Sequence, residues 1–355
     1  MRRRHFLLTP LLLHGLARAR TPPRHAPALR GTPLAFPRDH GGHAEFRTEW
    51  WYVTGALDTP ERNIGFQLTF FRTRGGSAES LDSPIAPHQI LFAHAAVTRP
   101  GGRLLHAERA ARANLGAGFS ATDCDIHIGS WHMRRGGAGK DEHFRLRALD
   151  PAFAFDLRLL PTQPLLLQGE NGWSQKGPRP ELASHYVSWP QLQVDGQLTL
   201  DNATRPASGR AWFDHEWSSE VLGDGGVGWD WIGINLDDGG ALMAFRIRDA
   251  RGGTIYGHAS LRDAAGKQSR FGPQDVQFTP LEYWRSPRNG SNYPVQMELH
   301  IGPHRLRTTP VLDDQEIATR RPLPISYWEG LVQIEGSLRG RGYLEMTGYA
   351  EPMRL

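Results

Sequence analysis

The chain has 355 residues, with 41 Lys plus Arg against 37 Asp plus Glu and a single cysteine, Cys124. Four of the cations, Arg2, Arg3, Arg4 and Arg18, fall within residues 1–19, so the rest is formally neutral. No basic cluster with interleaved aromatics is left to bind nucleic acid. One cysteine excludes an intrachain disulfide, and the length suits two domains.

Residues 1–19 carry a basic start, a short apolar run and an Ala17-Arg18-Ala19 ending. This is the layout of a cleaved signal peptide, too short to span a bilayer. Within it R-R-H-F-L at 3–7 has the form of a twin-arginine export signal, so a periplasmic or otherwise exported product is expected. Residues 20–35, rich in Pro and Arg, read as a linker lying over the surface. No later stretch reaches about 18 consecutive apolar residues, which leaves the mature chain soluble or peripheral.

From residue 36 the pattern is one of short β-prone runs: 49–57, 64–72, 89–98, 104–111, 123–133, 143–149 and 153–160. They are punctuated by P-G-G, R-G-G and L-D-P turns, and no long segment shows a 3.6-residue period. The chain is therefore expected to be all-β, with one short helix near Glu282 or at 313–318.

Four blocks recur in the same order. W-W-Y-V-T-G-A-L at 50–57 lines up with W-D-W-I-G-I-N-L at 229–236, and 63–70 with 240–247. The surroundings of His94 match those of His258. Q-V-D-G-Q-L at 193–198 with G-R-A-W-F-D at 209–214 matches Q-I-E-G-S-L at 333–338 with G-R-G-Y-L-E at 340–345. An internal duplication follows, with copies at 36–220 and 221–355. Many antiparallel strands joined by tight turns remove their exposed edges by closing. Two tandem antiparallel β-barrels of lipocalin-like type are the expected architecture, each with an interior able to hold an apolar ligand; strand counting leaves a pair of β-sandwiches as the other option.

The densest chemistry lies at 209–231, G-R-A-W-F-D-H-E-W-S-S-E-V-L-G-D-G-G-V-G-W-D-W. The period of two sends Trp212, Asp214 and Glu216 to one side of a strand and Phe213, His215 and Trp217 to the other. A carboxyl beside large rings loses hydration, which keeps its proton near neutrality. Asp214 is then the candidate acid, Glu216 or His215 the group that positions and deprotonates a water, and Trp212, Trp229 and Trp231 the π faces that stabilise positive charge. The duplication matches Trp212 to Tyr343 and Asp214 to Glu345. Trp51, Trp231 and Trp328 are candidate pocket or barrel-bottom plugs. Glu49 and Glu329 adjoin tryptophans, and Arg246 and Arg248, on one strand face, are the expected partners for such acids.

Several motifs together carry a resemblance: F-P-R-D-H-G-G-H at 36–43, F-R-T-E-W-W-Y-V-T-G at 46–55, Q-G-E-N-G-W-S-Q-K-G-P at 168–178, W-F-D-H-E-W-S-S at 212–219, G-W-D-W-I-G at 228–233, Y-W-E-G at 327–330 and G-Y-L-E-M-T-G-Y at 342–349. They resemble the AttH-like, lipocalin-like family, in the superfamily of carotenoid 1,2-hydratase (hydroxyneurosporene synthase). The resemblance implies tandem lipocalin-like barrels and a hydrophobic ligand. For the hydratase branch it implies water addition to a terminal isoprenoid double bond without metal or organic cofactor. Asp214 carries over, whereas Trp212 stands where that branch has tyrosine, Glu216 where it has asparagine, and Trp173 where a tyrosine is usual.

Other chemistry finds little support. His40 and His43 with Asp39, and later His88 and His94, have loose metal spacing without H-E-x-x-H, so no metal is expected. The Gly-Gly pairs read as hairpin turns, and no G-x-S-x-G elbow occurs. The leading expectation is an exported, monomeric binder of a hydrophobic lipid or isoprenoid in the bacterial envelope, with peripheral contact to the membrane or a transport complex. The alternative is a cofactor-independent hydratase or isomerase of an isoprenoid double bond. The residues that would line the substrate are Glu49, Trp51, Trp212, Trp229, Trp231, Arg246, Trp328, Tyr343 and Glu345.

Overall fold

The structure is a computed structural model that describes residues 25–59, 63–75, 83, 86–319 and 325–353. The proposed signal segment 1–19 lies outside the described residues. Apart from 3-10 turns at Arg38–His40 and Gly139–Asp141, the described elements are all strands. The helix expected near Glu282 or at 313–318 does not form. Glu282 lies in the strand Val276–Arg285, whose register slips on both sides of it, which blurs the alternation that marks a strand. Glu316–Ala318 is a short strand. The run at 123–133 is a hairpin of Asp125–Ile128 and Trp131–Gly136, turned at Gly129 with φ 57°.

The first sheet closes on itself. Its ring runs Ala183–Leu200, Ala203–Glu220, Thr48–Asp58, Asn63–Arg74, Gln89–Thr98, Leu104–Ala113, Gly116–Phe119, Asp125–Ile128, Trp131–Gly136, His143–Leu149 and Phe153–Leu160, which pairs again with Ala183–Leu200. That final ladder decides for a barrel over a sandwich. The second sheet runs from Gln268–Phe271 through Thr254–Arg262, Ala241–Arg248, Gly228–Leu236, Gly340–Met346, Ser326–Gly336, His304–Pro310 and Asn292–Ile301 to Val276–Arg285. It curls without sealing: no ladder joins its two end strands, and Arg246 Nη1 reaches across to Phe278 O at 3.0 Å.

The duplication is visible as repeated topology, because the first strand of each sheet pairs with the last: Thr48–Asp58 with Ala203–Glu220, and Gly228–Leu236 with Gly340–Met346. Tyr52 faces Asp214 across the ladder as Trp231 faces Glu345, and Thr54 faces Trp212 as Gly233 faces Tyr343. His94 opposite Thr69 corresponds to His258 opposite Phe245. The alignment of 63–70 with 240–247 needs a correction of one residue, since Phe70 faces Trp51 whereas Arg246, not Ile247, faces Asp230. Every residue of Ala241–Arg248 is buried, so its hydrophobic pattern could not fix which side faces which.

Both interiors are filled with side chains. Trp51, Val53, Phe66, Leu68, Phe70, Phe144 and Phe213 help pack the first, and Ile232, Ile234, Leu242, Met297 and Trp328 the second. A third apolar cluster joins the outer faces of both sheets, with Tyr52, Tyr186 and Trp212 from one against Trp231, Met243, Phe245, Leu331 and Tyr343 from the other. The backbone of the first sheet lies close under side chains of the second there: a Cβ on Gly65 would lie 2.6 Å from the Tyr343 hydroxyl. A bulge between Trp189 and Leu192 puts Gln191 at φ 58° and throws it over the seam. Its amide bonds Leu236 O and Gly240 O at 2.9 and 2.7 Å, and its backbone N–H bonds Asn235 Oδ1 at 2.7 Å.

Arg246 and Arg248 do not pair with Glu49 or Glu329. They grip Asp230 inside the second sheet, at 2.6 and 3.0 Å. Asp230 is 0 % exposed and the arginines nearly so. Removing one partner of such a set strands the others without water. Asp230→Ala is expected to cost about 3–5 kcal/mol in urea unfolding; a loss below about 1 kcal/mol would show that the arginines find other partners.

Candidate functional site

The strand Ala203–Glu220 is the wall between two different environments. His215 points into the first barrel, while Trp212, Asp214 and Glu216 point to the seam between the sheets. The seam holds a cavity of about 180 Å³, walled by Trp50, Tyr52, Phe71, Phe92, Trp229, Trp231, Phe245 and Tyr327. Four carboxyl-bearing residues on the outer faces reach it: Asp214, Glu216, Glu329 and Glu345. The candidate site is therefore between the two copies, not inside a barrel as expected, because both interiors are occupied by their own cores.

Asp214 is 3 % exposed. Its Oδ1 accepts from Ser188 Oγ at 2.5 Å and Trp212 Nε1 at 2.7 Å, and its Oδ2 accepts from the Tyr186 hydroxyl at 2.7 Å. Trp231 Nε1 in turn donates to the Tyr186 oxygen at 2.9 Å. Burial raises the Asp214 carboxyl to about 7, the three donors holding it from going further. No Lys or Arg pairs with it among the described residues. Glu216 has a different setting, bonded to Ser184 Oγ and paired with Lys176 Nζ at 2.8 Å. Two strand positions apart, one acid is desolvated and the other has a cation.

Several predicted site residues are elsewhere. His215 Nε2 meets Glu49 Oε1 at 2.9 Å and its Nδ1 donates to Asp39 O, so it cannot serve a water at Asp214. Glu49 touches the cavity edge, yet its carboxylate is taken up by His43, His215 and Arg72. Burial pushes that carboxyl up, but hydrogen bonds from His215 and His43 and the Arg72 charge hold it well below the usual range. Trp51 stacks on His215 within the first core and donates to His40 O; Trp328 lies in the second core and donates to Asp313 O. Arg246 belongs to Asp230. Trp212 and Tyr343 border a second, more polar seam cavity beside Gln191, Arg210 and Arg341, and Trp212 reaches the first site only through its bond to Asp214. Trp229, Trp231 and Glu345 line the cavity.

Tyr186, Ser188 and Lys176 were not foreseen as functional. All three lie inside the Q-G-E-N-G-W-S-Q-K-G-P and H-Y-V-S-W-P stretches, and the period of two already puts Tyr186 and Ser188 on one face. What it could not supply is the strand register, Ser188 opposite Asp214 and Tyr186 opposite Glu216.

His43, Glu49 and His215 form the one set of metal-type ligands that converges among the described residues, their atoms within 4.8 Å of one another. The Arg72 guanidinium at 2.8 Å already sits on the carboxylate, and Asp39 takes the other His43 nitrogen at 3.2 Å. The set reads as a hydrogen-bonded ion cluster that closes one end of the barrel.

A Nitrosomonas europaea protein assigned as AttH, of known crystal structure, is 44 % identical, with TM-score 0.84 over 91 % of this chain and 99 % of its own. Kievitone hydratase from Nectria haematococca shares the fold at 15 % identity and TM-score 0.68, over 92 % of this chain and 96 % of its own. CghA, crystallised with Sch210972, does so at 13 % identity and TM-score 0.55, over 87 % and 90 %. No curated protein matches the chain. The AttH-like family model matches residues 27–349. The chain thus belongs to the AttH-like family.

Proposed function

We propose that the chain is a cofactor-independent enzyme that adds water to a carbon–carbon double bond of an apolar small molecule, exported after loss of residues 1–19. The observation that carries this reading is Asp214: a carboxyl with no cation, in an apolar cavity, raised by burial to about 7. A carrier would be expected to pair its pocket acids with arginine. Here the arginine-paired acids, Glu49 and Asp230, are bound up in the cores, and the seam acids Asp214, Glu329 and Glu345 have no such partner among the described residues. The hydratase named among the fold relatives supports the same reaction class. A cavity of about 180 Å³ is below the roughly 300–1,000 Å³ of common ligand sites, which suits the branched end of a prenyl-type chain.

The chemistry follows from the hydrogen bonds. Trp231 donates to Tyr186, so the tyrosine hydrogen lies along the 2.7 Å line to Asp214 Oδ2. A proton on Oδ2 competes for that line, and one of the two hydrogens must turn to the cavity. That proton goes to the less substituted alkene carbon, forming a C–H bond from the π electrons and leaving a tertiary cation. The rings of Trp229, Trp231 and Trp50 face the charge. Water adds through its oxygen, and Glu216, held by Lys176 and Ser184, accepts the released proton. A proton passed back from Glu216 to Asp214 restores the starting state.

Two predictions follow from this assignment. Molecules extracted with the protein from its native envelope and incubated with it in H2(18)O should gain one labelled water by mass spectrometry. Asp214→Asn should lower that rate at least about 100-fold; unchanged labelling would remove Asp214 from the mechanism. The second prediction concerns stability. Folded Asp214 keeps its proton up to about pH 7, whereas the unfolded chain releases it near pH 4, so its contribution is present at low pH and lost as pH rises through 7. Asp214→Asn should match wild type at about pH 4 and be more stable by on the order of 4 kcal/mol at about pH 8. A pH-independent difference in melting would contradict the buried, protonated acid.

A further inference from the structure

The same cavity contains a second acidic centre, to which the steps above assign no role. Glu329 and Glu345 face each other directly across the ladder of Ser326–Gly336 and Gly340–Met346, and both line the cavity. In the duplication they stand where the first copy has Ser188 and Asp214, which also face each other. The second copy thus has a carboxyl where the first has a hydroxyl. Two carboxyls side by side cannot both ionise without a cation.

No such cation is supplied. Glu329 and Glu345 have no Lys or Arg partner among the described residues, and the cations at the cavity are committed, Lys176 to Glu216 and Arg72 to Glu49. Trp229 Nε1 donates to Glu345 Oε2 at 3.2 Å. The groups beside Glu329, which is 2 % exposed, are the uncharged hydroxyls of Tyr52 and Tyr327. Hydroxyl donors cannot balance two buried negative charges, and the pair lies at one wall of a cavity rimmed by Trp50, Trp229 and Tyr327.

We propose that the Glu329–Glu345 pair is a cation subsite of this cavity, which gives up a proton to accept positive charge on an apolar ligand. It takes an ammonium nitrogen on such a ligand, and it steadies the carbocation of the proposed hydration. The second role rests on the hydratase reading, the first does not. Burial and then the neighbouring Glu345 charge raise Glu329 far above the ordinary carboxyl value, so the pair stores the proton that the cation displaces. Aromatic rings around carboxyl oxygens are the chemistry by which proteins hold organic cations.

Octylamine and octan-1-ol, matched in their apolar tails, test this by titration calorimetry in buffers of different ionisation enthalpy. At about pH 8 octylamine should bind at least about ten-fold more tightly than the alcohol, with proton release, and its advantage should shrink toward about pH 6. Glu329→Gln and Glu345→Gln should each abolish the preference for the amine while octan-1-ol still binds, which shows that the variants are folded. Equal affinities without proton release, or no octylamine binding at any pH, would overturn the subsite. In the wild type, no preference for the amine beside intact labelling in H2(18)O overturns the subsite alone. Amine preference without labelling overturns the hydratase reading alone.

Discussion

The strand Ala203–Glu220 separates two interiors, and the molecule depends on that. Its residues Ala211 to Trp217 are buried on both faces, so each successive side chain must suit a different desolvated environment. Phe213 and His215 complete the barrel core and its ion cluster, while Trp212, Asp214 and Glu216 meet the second sheet. A one-residue slip would drive Asp214 into an apolar barrel and pull His215 away from Glu49. The long ladders on either side, to Thr48–Asp58 and Ala183–Leu200, hold that register.

Two ways of burying an acid coexist within this frame. Hydrogen bonds from His215 and His43 and the Arg72 charge hold Glu49 ionised, Arg246 and Arg248 grip Asp230, and both sets tie neighbouring strands together. Asp214 and the Glu329–Glu345 pair are buried without arginine and hold protons instead. The first arrangement suits structure, since breaking it strands a charge. The second suits chemistry, because a carboxyl near neutrality can both give and take a proton.

The duplication explains why the site lies in the seam. Each copy fills its own interior and leaves one outer face apolar, and the two faces cover each other. Glu345 and Asp214 are counterparts by register, as are His258 and His94. The copies have diverged at their partners: Ser188 supports Asp214 with a hydrogen bond, and Glu329 sets a second carboxyl against Glu345. His94 bonds the Tyr327 hydroxyl at 2.7 Å across the seam, while His258 approaches Ser260 Oγ at 3.3 Å within its own strand.

Much of this was legible in the residues. Alternation and turn residues determined an all-β chain, and the ranges 89–98, 143–149 and 153–160 match strands to the residue. Recurring blocks determined the duplication, and the period of two put Asp214 and Glu216 on the face opposite His215. Alternation says that two faces exist without saying which one is the core, so Trp51, Trp328 and Arg246 were assigned to a pocket when they belong to the interiors, and Glu49 reaches only the cavity edge. The tertiary structure alone decided that both interiors are full, that the outer faces meet, and that Tyr186, Ser188 and Trp231 converge on Asp214. Those contacts join strands far apart in the chain, and the desolvation that sets the acid's proton depends on everything packed around it at once.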